Sequence, residues 1–511
     1  MARTFDAIVI GAGHNGLVAA AELSRKGKRV CVIERSDRVG GMARTGELDG
    51  VPLPQIAHLL YNFDPAVAKD LGLSSQTAAI PTVALDPEGR HAVIEGDRLA
   101  YADGTDHPQA AVFATLLGRL KTFAAVLGQM ADAPPPSLEE GLASLSSLTA
   151  AKGLAGLGLN LKRLGKDDMR EFLRVLLSNA YDVILDELEE GPVAGLLAAD
   201  AVRGAFNGPR APGTVFTLLY RLGQGGEVTL PPEGMGAVME ALARTARREG
   251  AELRFGSGVA RVELDGDRVT GVTLEDGSAL KAPVVLSSLG AQRTMALAGP
   301  AQYDIEAVRR VRNLRSKGTT AKVNLVLSRA PEMPGLTEAQ RAGRLVLAPT
   351  ASYVERAFNP VKYGEMSRAP VIEAVMPTLE AGRVSAEDKQ VLSLIVSYVP
   401  QDHADRDAIR DLAVDALAPF MPGLADLITA TEVLTPADIE ALTGAPGGHW
   451  HHAEMALDQV LTVRPVNGMA RYAFGIEGYF LCGASAHPGG DVTGQPGRNA
   501  ARRALASGAM T

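Results

Sequence analysis

With 511 residues, a net charge of −8 and two cysteines, the chain is long enough for roughly two to four domains with substantial cores. The acidic balance and the lack of a long basic run exclude nucleic acid as an expected partner, and two cysteines outside any Cys-x-x-Cys exclude dithiol chemistry. No continuous apolar run reaches the roughly 18 residues that span a bilayer and the charged start is not a signal peptide, so a reducing, cytoplasmic location is expected.

Phe5 to Ile10 reads as a buried strand that runs into Gly11-Ala12-Gly13-His14-Asn15-Gly16. A helix follows over 17–26, with Gly27 where a C-cap falls, and Arg29 to Ile33 reads as a second parallel strand ending at Glu34. Strand, glycine turn and helix start together hold a dinucleotide pyrophosphate. Gly11 permits the turn, Gly13 lets the backbone approach the phosphates, and Gly16 lets helix and strand pack closely. His14 and Asn15 support the cofactor from within the turn. Glu34 lies 34 − 11 = 23 residues after Gly11, near the offset of a carboxylate that takes ribose hydroxyls. This much fits NAD or FAD equally.

The next segment separates them. Gly40 and Gly41, followed by Met42, place a second glycine pair just past Glu34, with Arg35, Arg38 and Arg44 supplying positive charge. Arg38-Val39-Gly40-Gly41 resembles the Arg-x-Gly-Gly segment of the FAD superfamily that includes amine oxidases and phytoene desaturases. That resemblance implies FAD. It also implies that the chain returns beneath the flavin near Ala57-His58-Leu59-Leu60-Tyr61, which makes His58 and Tyr61 catalytic candidates.

Ala133-Pro134-Pro135-Pro136 reads as a linker or loop. Residues 150–165, with Leu154, Leu157, Leu159, Leu161 and Leu164, form an apolar patch. It admits peripheral membrane contact, although a helix packed in the cap is the preferred reading. A helix over 236–248 leads into strands near 252–255, 259–264, 269–274 and 282–286, and the resemblance implies that Val259 lies against adenine. His449-Trp450-His451-His452 adds Trp450 and His452 as candidates near the substrate. No metal is expected there, because adjacent side chains point apart and no carboxylate sits at a ligand spacing.

Tyr479 to Leu481 reads as a strand, Gly483 to Gly494 as a glycine-rich loop, and the remainder as a final helix capped by Thr493 with Pro496 in its first turn. The run resembles the C-terminal flavin motif of carotenoid desaturases. It is closer still to the pyridine nucleotide-disulfide oxidoreductase domain-containing protein 2 family and its bacterial relatives. The resemblance implies that Gly483, Asp491 and Val492 meet the flavin and that the helix N-terminus stabilises its reduced anion. Asp491 departs from the small residue of carotenoid desaturases, and a bond to ribityl hydroxyls is preferred over a buried unpaired charge. His487 is a further catalytic candidate, although it is better placed to fix the loop.

The expected fold class is α/β, a Rossmann-like FAD-binding domain of glutathione reductase type built from residues 1–100, 225–300 and 460–511. An α+β substrate or cap domain fills 101–224 and 301–459. The expected function is FAD-dependent oxidation, with hydride taken from a C–C or C–N bond of an apolar organic molecule. Desaturation ranks first and amine oxidation second. A non-redox flavin isomerase and a flavin-free escort protein on the same fold are the alternatives. No second dinucleotide fingerprint exists for NAD(P)H, so oxygen, a quinone or another diffusible acceptor is expected to reoxidise the flavin.

Overall fold

The computed structural model describes residues 4–61, 63–72, 79–131, 134–135, 162, 164–223, 226–231, 233–380 and 389–510. The opening run of β-branched residues forms the strand Ala7–Ile10 at the centre of a five-stranded parallel sheet. It pairs on one side with Val30–Ile33, which pairs with Glu252–Arg254, and on the other with Val285–Ser287, which pairs with Tyr479–Leu481. Three distant stretches of chain therefore complete one sheet. Ile8 and Val9 are fully buried, as expected of a parallel sheet covered on both faces. The helices His14–Arg25, Gly234–Arg248 and Gln495–Ala506 pack together beside it.

The strands Val259–Asp265, Arg268–Leu274 and Ala279–Lys281 form a separate three-stranded antiparallel sheet. The final helix begins one residue later than a Thr493 cap requires: its N-cap is Gly494, in the left-handed region at φ 76°. Thr493 still serves that turn, its hydroxyl accepting the Gln495 N–H at 3.2 Å.

The second body is an eight-stranded, mostly antiparallel sheet. Its order is Ile428–Leu434, Thr320–Leu327, Gln390–Ser397, Val371–Val375, Arg344–Leu347, Thr82–Ala84, Ala92–Glu95, Arg98–Tyr101. The last three strands correct the expected boundary at residue 100. Thr82–Ala84 pairs in parallel with Arg344–Leu347, so 82–101 belong to the cap sheet. That pairing joins segments more than 250 residues apart, and neither strand alone announces it.

Among the described residues one helix, Ala110–Ala131, is long and apolar enough to cross a membrane, which corrects the expectation that none would be. Its apolar face, with Phe113, Leu116, Leu120 and Phe123, lies in the cap core. On its other side Arg119 pairs with Glu187 at 2.8 Å and Lys121 pairs with Asp97. The segment 150–165 falls outside the described residues except for 162, 164 and 165, and Leu164 packs half-buried against the same core. Ala133 and Pro136 also fall outside them, while Pro134 and Pro135 are irregular backbone.

Candidate active site

One cavity of about 1660 Å3, counting the space open at its mouth, runs between the two bodies. From the first glycine turn it is lined by Gly11, Gly13, His14 and Asn15, and next to them by Glu34, Arg35, Gly41, Met42 and Arg44. Val259 reaches it from the three-stranded sheet, and Asp491 and Val492 from the C-terminal loop. Four catalytic candidates, His58, Tyr61, Trp450 and His452, line it as well.

The remaining predicted residues act from behind this wall. A Cβ on Gly16 would run into the Gly11 carbonyl oxygen, and one on Gly483 into the carbonyls of Ser288 and Leu289. Gly40 holds φ 139° and donates its N–H to the Ala12 carbonyl at 3.1 Å, tying the second glycine pair to the first turn. Gly13 differs from these: a Cβ there meets no protein atom within 4 Å. It faces open cavity, next to a helix N-terminus without a side-chain cap. Backbone and dipole are both presented to an anion.

The Glu34 carboxylate accepts the Ala12 N–H at 2.7 Å and the Ser36 N–H at 2.9 Å, which fixes it at the strand end where ribose hydroxyls would lie. Arg35 donates to the Ala441 carbonyl at 3.0 Å, so it anchors the cap helix Pro436–Thr443 over the cavity. Burial lowers the pKa of the half-buried Arg44, and its Nε has no protein partner. His14 Nε2 and His452 Nδ1 are likewise buried without partners. His452 and Asp491 both adopt left-handed backbone, at φ 56° and 63°, a conformation that non-glycine residues keep where the surroundings enforce it. An open glycine turn, a guanidinium whose Nε is free, and a carboxylate fixed at the strand end fit an FAD pyrophosphate and its flanking sugar.

The cap closes the other end with a polar face that the sequence reading missed. In register, Lys322 lies opposite Ile395 and Ile395 opposite Glu373, while Asn324 lies opposite Ser393. Cross-strand partners share a face, so all five point the same way, and Ile395 lines the cavity. The alternate residues Ala321, Val323, Leu392, Leu394, Ile372 and Ala374 point into the cap core. The signal was present as single polar residues in otherwise apolar strands, in Ala-Lys-Val-Asn-Leu and Val-Ile-Glu-Ala-Val.

His58 joins this face. Its Nε2 lies 2.9 Å from Glu373 Oε1, and its Nδ1 lies 3.0 Å from Lys322 Nζ and 3.3 Å from Ser393 Oγ. With Nε2–H donating to the carboxylate, Nδ1 accepts. Burial, reinforced by the Lys322 charge, pushes the His58 pKa down to about 3, and burial holds Lys322 well below its usual value. Burial pushes the Glu373 carboxyl up, but Arg203, Arg344 and His58 outweigh it and hold it well below the usual carboxylate range. Glu373 also accepts from the Tyr61 hydroxyl and, at 2.7 Å each, from Arg203 and Arg344. Tyr61 is gripped by the Arg203 and Arg221 guanidiniums, 4.2 and 4.4 Å from its ring centroid, and burial keeps its hydroxyl protonated.

His487 is not part of this site. It lines a separate small cavity with Tyr220 and Leu127, and its ring Nε2 bonds the Met130 carbonyl at 2.8 Å. That bond leaves His487 pinning the long cap helix Ala110–Ala131. A second unforeseen device is Arg464, which is fully buried and donates only to carbonyls: Ala486, Glu454, Gln459, His451, Ala453 and Ala484, at 2.7 to 3.3 Å. It clamps the histidine loop to the C-terminal loop. Among the described residues no group of histidine, cysteine or carboxylate side chains has the geometry of a metal site.

Comparison with known proteins agrees with this geometry. The chain is 30% identical to mouse pyridine nucleotide-disulfide oxidoreductase domain-containing protein 2, over 97% of this chain and 92% of that one. It is 24% identical to a zeta-carotene-forming phytoene desaturase of Myxococcus xanthus, over 96% and 90%. A redesigned putrescine oxidase shares the fold, with a TM-score of 0.62 at 14% identity over 99% and 98% of the two chains. The family of flavin containing amine oxidoreductases matches residues 16–505. Its cofactor is FAD, which removes the flavin-free escort alternative. By that match over nearly its whole length, the chain belongs to the flavin containing amine oxidoreductase family.

Proposed function

We propose that this FAD-dependent oxidoreductase takes a hydride from a carbon next to carbon or nitrogen in an organic substrate with an apolar reacting segment. Desaturation of a C–C bond is the leading reaction. The observation that carries this reading is the continuity of the cavity, in which the cofactor wall opens directly onto a chamber walled by Tyr61, Ile395, Trp450 and Arg203. Bound FAD supplies the two-electron acceptor. The chain's residues shape the rest: Ile395 and Trp450 exclude water, and Tyr61 keeps its proton. His58 and the buried Lys322 amine, both held toward their neutral forms, are the groups that take up a proton released with the hydride once the His58 bonds to Glu373 and Lys322 rearrange. An ammonium substrate would meet the Arg203 guanidinium at this wall, which ranks amine oxidation second.

The reading includes reoxidation by oxygen or a quinone, since one dinucleotide fingerprint leaves no dedicated nicotinamide site. It includes a cytoplasmic location, in keeping with two buried thiols, Cys31 and Cys482, neither of which forms a disulfide. The test is anaerobic addition of candidate substrates to the yellow protein. Stoichiometric bleaching, reversed by oxygen or a quinone, is expected. Product formed without lasting bleaching would establish an isomerase instead.

A further inference from the structure

Of the three guanidiniums of the cap cluster, Arg203 lines the cofactor cavity, and it shares the lining of the adjoining one with Arg344. Arg344 is fully engaged, its Nε on Glu373 at 2.7 Å and its two terminal nitrogens on Asp200 at 3.1 and 2.5 Å. Arg221 is ion-paired with Asp200 at 2.6 Å, at an angle that makes no hydrogen bond from its Nη1. Arg203 gives one terminal nitrogen to Glu373, while its Nε is buried without a protein partner. Three guanidiniums thus share two carboxylates, and the neighbouring Lys322 and His58 are shifted toward their neutral forms. Asp491, across the cavity, offsets part of the surplus through space.

Two aromatic rings fix the Arg203 plane. Its guanidinium carbon lies 4.2 Å from the Tyr61 centroid and 4.9 Å from that of Trp450, and the side chain is only 13% exposed. Arg203, Ile395 and Trp450 also line an adjoining cavity of about 510 Å3, which Thr320 and Ser397 border with hydroxyls. The residue stands as a partition between the cofactor chamber and this second space. A guanidinium that gives one terminal nitrogen to Glu373 keeps the edge of its Nε and second terminal nitrogen for a carboxylate, which takes that edge in two parallel hydrogen bonds once it displaces the neighbours that cover the Nε. A hydrocarbon or an amine would leave the donor unpaired in a dry site.

We propose that Arg203 anchors a carboxylate of the substrate, so that the molecule oxidised is an organic acid with an apolar reacting segment. This rests on the oxidoreductase reading above and narrows its substrate class.

The test is titration of the FAD-loaded protein with octanoate, octanamide and octylamine by calorimetry, which reads binding without turnover. Octanoate is expected to bind saturably and the amide and amine at least tenfold more weakly. Arg203→Gln should weaken octanoate by roughly 10- to 100-fold, the worth of a hydrogen bond to a charged group, and leave octanamide unchanged. Arg203→Lys keeps the ion pair with Glu373 but loses the planar fork, so it should weaken octanoate even if the glutamine variant does not fold. Octanamide binding as tightly as octanoate, or octanoate unaffected by Arg203→Lys, would overturn the anchor. Those results in a protein whose flavin a neutral donor still bleaches sink the anchor alone. Octanoate binding to Arg203 in a protein whose flavin no donor reduces sinks the oxidoreductase reading alone.

Discussion

Replacing Arg464 tests whether the cofactor wall is held by its backbone carbonyls. The guanidinium makes six contacts to main-chain oxygens and has no carboxylate partner, and burial lowers its pKa to about 10, so it stays charged at neutral pH. The Glu454 carbonyl keeps a second donor in Gln459 Nε2 at 3.3 Å, so five carbonyls depend on Arg464; lysine brings at most three donors, and Arg464→Lys strands at least two. At about 1 kcal/mol or more for each, the loss is about 2 kcal/mol, or roughly 4–8 °C in melting temperature on the scale of a 150–250-residue domain. Arg464→Met strands five and approaches the whole stability of a typical domain, about 5–15 kcal/mol, so little folded protein is expected. The clamped segments carry His451, His452 and Ala484 into the cavity, and the lysine variant should therefore bind FAD more weakly. The assay is the temperature at which flavin fluorescence is released, read beside loss of helical circular dichroism. An Arg464→Lys protein that melts and releases flavin at the wild-type temperature would refute the clamp.

The two fingerprint glycines should fail differently. A Cβ at Gly13 meets no protein atom within 4 Å, so Gly13→Ala should give a folded protein that takes up FAD poorly, whereas Gly16→Ala collides with the Gly11 carbonyl and should lower stability itself; absorbance at 450 nm and circular dichroism separate the two. Stability should also fall steeply in acid. Burial lowers the pKa of His14, His452 and His487 to about 4 and of His58 and His451 to about 3, and it holds His449 well below its usual value. Between pH 6.5 and these values the unfolded chain binds protons that the folded chain refuses, so stability is present above pH 6.5 and lost as pH falls. Six such groups give a slope of up to about 8 kcal/mol per pH unit near pH 5, and urea midpoints that stay level between pH 7 and 5 would contradict the burial. His487→Ala should leave turnover unchanged while lowering the melting temperature through loss of its bond to Met130, and a turnover defect in a protein of normal stability would restore His487 to the site.

The grip on the cofactor was legible because it is local. Gly11 to Gly16, Glu34 and the Gly40–Gly41 pair each carry their meaning within a few residues of contiguous chain; the structure gathers Gly11, Gly13, Glu34 and Gly41 on one cavity with Val259, Asp491 and Val492, and sets Gly16 and Gly40 behind its wall. The substrate face was not legible, because Lys322, Glu373 and Ile395 become neighbours only through the register of three strands. Each is one side chain on a different segment. The strands of 82–101 were misplaced for the same reason, since their partner is the distant strand Arg344–Leu347. Arg464 gave no signal at all: its partners are carbonyls, which every residue carries.

This division assigns different jobs to the two bodies. The parallel-sheet domain presents FAD largely with glycines and main chain, which changes little when side chains vary. The cap closes the cavity with one face of an antiparallel sheet, on which each strand contributes one or two side chains at alternate positions. A substitution there alters the chamber without disturbing the core residues that point the other way. The same fold can then accommodate a putrescine oxidase and, in a sequence relative, a phytoene desaturase. In this chain the face carries Lys322, Glu373 and Arg344, and His58, Tyr61 and Arg203 close against it from other segments. A surface built for a hydrocarbon alone would have no use for three guanidiniums, each of which is costly to bury. Their retention makes physical sense if charge on the substrate repays part of that cost, with Arg203 as the group left open to receive it.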